Sequence, residues 1–93
     1  MMQRVVYAGG VIVPRYYFDI TDAGHLARDE HGSECADDRD ARDQAISLLP
    51  DIARDELPDG DQHEFVATVR NEAGQVVYEA SLALNGRWWL GRR

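Results

Sequence analysis

Arg15-Tyr16-Tyr17-Phe18-Asp19-Ile20 is the stretch that decides the fold. Tyr16, Phe18 and Ile20 fall on one face of an extended chain, and Arg15, Tyr17 and Asp19 fall on the other. This period of two, in a run rich in aromatic side chains, predicts a half-buried β-strand. Downstream, Thr21-Asp22-Ala23-Gly24 reads as a turn and Leu26 to Asp29 as a short second strand. Glu30-His31-Gly32-Ser33 reads as another turn, with Gly32 free to take a positive φ.

Further along, the period changes. Ala41, Ala45, Leu48, Leu49, Ile52, Ala53 and Leu57 are spaced by threes and fours, which marks one face of a helix. Asp37 or Asp38 is placed to cap its start, where acidic residues suit the helix dipole. Pro50 lies inside the pattern and predicts a kink, or a second helix that starts there. Pro58-Asp59-Gly60-Asp61 ends it. Phe65 to Arg70 and Val76 to Leu84 then alternate as two strands around an Asn71-Glu72-Ala73-Gly74 loop, with Gly74 suited to a left-handed backbone.

The order strand, short strand, helix, strand, strand predicts an α+β fold: a small antiparallel sheet with one helix packed on one face. The domain spans residues 14–86. Residues 1–13 form an N-terminal extension and residues 87–93 a basic aromatic tail.

The chain of 93 residues suffices for one domain, and its 44% hydrophobic content suffices for a core. Seventeen acidic against ten basic residues leave a net charge of −7, which repels a polyanion. Cys35 is the single cysteine, so an internal disulfide is excluded. No apolar run approaches the ~18 residues of a membrane span. Val5 to Val13 loosely mimics a signal peptide, but Gly9-Gly10 interrupts it and no small-x-small cleavage site follows. The expectation is a cytoplasmic protein.

Four segments carry a resemblance. Pro14-Arg15-Tyr16-Tyr17-Phe18-Asp19-Ile20 resembles the opening of a family of short, uncharacterised bacterial proteins, a domain of unknown function. Asp29-Glu30-His31-Gly32-Ser33-Glu34, Ala53-Arg54-Asp55-Glu56-Leu57-Pro58 and Val69-Arg70-Asn71-Glu72-Ala73-Gly74 resemble its later motifs. The resemblance covers about residues 14–85 and implies the same fold. It implies no activity, cofactor or catalytic residue. Members begin at the residue before Pro-Arg, here Val13, which a GTG start codon can encode. Residues 1–12 are therefore expected to be an upstream extension from a misplaced start, or a disordered tail.

Each candidate chemistry has a plainer counterpart. Cys35 near His31 invites a nucleophile–base reading, but both sit at a turn with no oxyanion-hole motif, so Cys35 reads as a small filler. Asp19, Asp22, Asp29, Glu30 and Glu34 could bind a divalent cation, but their spacing is not an EF-hand's and solvated turn carboxylates explain them. His25, His31 and His63 lack zinc spacing, and no phosphate-binding glycine motif occurs. No enzyme, metal or cofactor is expected.

Interaction remains. Arg87, Trp88 and Trp89, followed by Arg92 and Arg93, could stack on single-stranded bases or engage a protein groove. The plainer reading folds one tryptophan back on the core. Tyr17, Val66, Thr68, Val77 and Ala83 are expected on the sheet face away from the helix, where an apolar patch could mark association. The preferred expectation is a non-enzymatic interaction or regulatory module, with an unknown protein partner or a homodimer through that face or a sheet edge. A nucleic-acid regulator loosely similar to antitoxins of the HicB kind is the first alternative, and a carboxylate-based cation binder the second. Tyr17, Arg87, Trp88 and Trp89 are the candidate interaction residues.

Overall fold

The computed structural model describes residues 6–7, 10–11, 13–56 and 60–90. Strands β1 (Val6–Tyr7) and β2 (Gly10–Val11) pair with each other. They are followed by β3 (Arg15–Asp22), β4 (His25–Ala27), β5 (Ser33–Glu34), helix α1 (Asp38–Glu56), β6 (Gln62–Arg70) and β7 (Val76–Asn85). It is an α+β fold in which one helix packs on an antiparallel sheet of order β4-β3-β6-β7, with β5 added to β3. α1 lies across β6 and β7.

The register explains the core. Phe18 sits opposite Val69 and Ile20 opposite Ala67, while Val69, Ala67 and Phe65 sit opposite Tyr78, Ala80 and Leu82. Residues opposite each other share a face, so this is the helix side. Tyr16, Phe18, Phe65, Ala67 and Val69 are buried there beneath Ala41, Ala45 and Leu49 of α1. Small side chains on both layers, Ala41 and Ala45 above and Ala67 below, let the helix approach the sheet closely. Each fully buried large side chain contributes about 1.5–3 kcal/mol.

Asp37 is the residue that caps α1. Its carboxylate accepts from the Asp40 N–H at 2.9 Å, and Asp40 accepts from the Ala36 N–H at 2.8 Å. This reciprocal pair satisfies donors that the first turn leaves without helical partners. The Tyr16 hydroxyl donates to Asp38 at 2.6 Å and ties the start of β3 to the start of the helix.

Several details depart from expectation. β3 runs two residues past Ile20, so the turn shrinks to Ala23-Gly24, both with positive φ (50° and 89°). The short strand is His25–Ala27, which leaves Asp29 in the loop. β5 had no sequence signal. α1 runs unbroken through Pro50, so no second helix starts there. Val77 packs against the core rather than the outer face, because a register shift opposite Val69 and Arg70 inserts one extra residue in β7. Leu57, Pro58, Asp59, Arg92 and Arg93, with residues 1–5, 8–9 and 12 of the extension, lie outside the described residues.

Candidate functional site

Of the acidic turn residues, Asp19 and Asp29 hold a loop to the sheet. Along one edge of β3, β5 pairs with Arg15 and Tyr16, and β4 pairs with Ile20 to Asp22. The gap between them is filled by the Asp29 carboxylate. It accepts from the backbone N–H of Phe18 at 3.0 Å, of His31 at 3.1 Å and of Gly32 at 3.0 Å. Asp29 thus supplies the acceptor that a strand would otherwise provide. Burial works to raise its pKa, but the N–H groups of Gly32, Phe18 and His31 outweigh it and leave the carboxyl below its usual range.

Asp19 completes the arrangement. By register it lies on the outer face of the sheet, yet it is only 6% exposed, because the Asp29 loop and Arg70 cover it. Arg70 donates to both Asp19 oxygens, from Nε at 2.6 Å and from a terminal nitrogen at 3.0 Å, and also to the Asp29 carbonyl at 3.1 Å. The Arg70 hydrogen bond holds the Asp19 carboxyl below the usual range despite burial. The same guanidinium lies 4.9 Å from the Tyr17 ring centroid, a cation–π contact. Tyr17 is therefore half-buried on the outer face, its ring engaged by Arg70. Arg70 is the residue that sequence reading missed. Its position opposite Tyr17 in the hairpin register is the only signal that could have found it.

The remaining candidates are dispersed. Glu34 pairs with Arg15 at 3.5 Å, and Asp22 pairs with His63, whose ring lies against Phe65 at 4.5 Å between centroids. His63 also borders an open concavity of about 490 Å³ with Ala23, Gln62, Glu64, Ala83 and Asn85. Among the described residues no three His, Cys, Asp or Glu side chains form a metal-ligand group. Cys35 is buried, its Sγ 3.9 Å from the Ser33 carbonyl, and burial raises its thiol pKa. A nucleophile needs the opposite shift.

What the described surface does present is an edge. β7 is ten residues long and pairs only with β6 among the described strands. Its outward N–H and C=O groups have no strand beside them. Glu79 is its one charged residue, and it holds no proline or lysine. Edge strands ordinarily carry such protection. On its helix side Leu82 is 38% and Leu84 41% exposed. Ile46 continues the stripe on the helix: it is 42% exposed and lies one turn beyond Arg42, whose pKa is raised chiefly by its interaction with Tyr78 of β7.

The tail extends directly from this edge. Gly86 N–H donates to the Asp61 carbonyl at 2.6 Å, and Arg87 lies 5.1 Å from the Trp89 ring centroid. Trp88 is 54% and Trp89 81% exposed, so neither tryptophan folds onto the core.

Residues 15–83 match the family described as Domain of unknown function (DUF6894). The chain belongs to this family. The match spans β3 through most of β7 and includes Asp19, Asp29, Gly32 and Arg70. No curated protein and no solved structure matches the chain. No helix among the described residues is long and apolar enough to cross a membrane.

Proposed function

We propose that this member of the family works by association rather than catalysis, as a module that accepts a strand of a protein partner along β7. The observation that carries this reading is the ten-residue edge with a single charge, bordered by half-exposed Leu82, Leu84 and Ile46. Strand addition uses main-chain hydrogen bonds for affinity and the flanking apolar side chains for specificity.

Native mass spectrometry of the protein taken from its own cells tests this. The expected result is a complex with a polypeptide, whether a second copy or another chain, with β7 amides protected from hydrogen exchange. A free monomer whose outward β7 amides exchange fast at cellular concentration would sink the reading.

One observation favours a second reading. Trp88 and Trp89 offer exposed rings beside Arg87, a platform on which unpaired bases can stack. That reading expects a salt-sensitive shift of single-stranded nucleic acid that is lost when residues 87–93 are deleted.

A further inference from the structure

We infer that the partner at β7 is a second copy of this chain, joined about a two-fold axis perpendicular to the sheet with Ser81 at the axis. The inference rests on reading β7 as the contact edge.

Two features point to a partner with this chain's own architecture. First, both layers stop at the same boundary. The sheet ends at β7, with Leu82 and Leu84 half-exposed, and the helix ends its apolar side at Ile46, which is 42% exposed. A lone peptide strand would satisfy the β7 backbone and leave Ile46 bare. A partner with a sheet and a helix at the same relative height covers both, and this chain has that architecture. Antiparallel pairing about such an axis places the two helices on the same side of one continuous sheet. It also sets even-numbered residues against even-numbered ones, so helix-side residues meet helix-side residues.

Second, length and charge select the edge and the register: β7 is ten residues long, whereas the other terminal strand, β4, has three. β7 carries one of the chain's 17 acidic residues over ten positions, so two copies of net charge −7 bring few carboxylates together along it. A register centred on Glu79 would set that carboxylate against itself, which destabilises a strand pair. Centring on Ser81 sets Glu79 against the partner's Ala83. It sets Leu82 against the partner's Ala80 and Leu84 against the partner's Tyr78, apolar pairs throughout.

Light scattering after size exclusion, together with site-directed crosslinking, tests the geometry. At about 100 µM, well above a micromolar Kd, the wild-type chain is expected at twice 10.5 kDa. Leu82→Arg is expected to weaken dimerisation at least about tenfold, with an unchanged circular dichroism spectrum. Ser81→Cys is expected to form an interchain disulfide under mild oxidation, because residues facing each other on the axis sit within about 4.4–6.8 Å between Cα atoms. Buried Cys35 stays unreactive in the wild-type control. A monomer at that concentration overturns the inference, while a different polypeptide bound in the native complex would leave the strand-addition reading standing. A dimer in which Ser81→Cys does not crosslink but Ala83→Cys does overturns the geometry.

Discussion

Ala23 is a non-glycine residue in a left-handed conformation, in a two-residue turn whose second position, Gly24, is also left-handed. That turn is the one Asn-Gly fills most readily. Ala23→Asn is expected to stabilise the domain by about 0.5–1 kcal/mol, read as a Tm rise of a few degrees. Gly32 is the converse case. A Cβ there would lie 2.8 Å from Arg15 Cγ and 2.9 Å from the Tyr16 carbonyl, at φ 74°. Gly32→Ala is expected to cost more than about 2 kcal/mol in denaturant titration. Arg70→Leu strands the covered Asp19 carboxylate and is expected to cost about 3 kcal/mol or more. Asp19 and Asp29 both have pKa values lowered on folding. Their contribution is therefore complete above the unfolded carboxyl value near ~4 and is lost as pH falls through the lower folded values. Acid melting of Asp19→Asn is expected to show a flatter low-pH limb and a lower Tm at neutral pH. The need for glycine at position 32 was legible in the sequence because turn composition is local. The Asp19–Arg70 pair was not, because 51 residues separate the partners and only the strand register brings them together.

Long periodic segments were legible at the scale of elements. The helix read true because Ala41, Ala45 and Leu49 repeat at helical spacing, and the hairpin because Asn71 and Gly74 mark its loop. The alternative of a second helix starting at Pro50 failed because a proline weakens a helix without ending it when packing on both sides holds the turns. Leu49 is buried, and Ile52 and Ala53 pack against the core just beyond Pro50. Its ring still forfeits one helical hydrogen bond at an exposed position. Pro50→Ala is expected to add about 1–3 kcal/mol to stability, measured as a shift of the urea midpoint at constant slope. β5 escaped notice because two residues cannot show a period. What creates it is the Asp29 loop, which returns the chain to the start of β3.

For the whole molecule, the fold class and the helix-side core followed from composition and period, whereas strand order and the free edge required the structure. Charge then sets how the molecule behaves toward itself. Two copies of net charge −7 associate against their mutual repulsion, so the proposed dimer should tighten as salt rises from about 0.05 to 0.5 M and the Debye length falls from over 10 Å to a few ångströms. Sedimentation equilibrium across that range checks the sign, which is opposite to that for an Arg-tail contact with nucleic acid. The carboxylate lodged between β4 and β5 has a further consequence. A sheet with two open edges can add copies without limit, and that is how fibrils grow. Here the opposite side offers only the three-residue β4 and the two-residue β5, with the Asp29 carboxylate taking the Phe18 N–H between them. Joining two copies at β7 would use up the one long edge among the described strands, and Asp29, by occupying the gap between β4 and β5, keeps the opposite side too short and interrupted to template further copies.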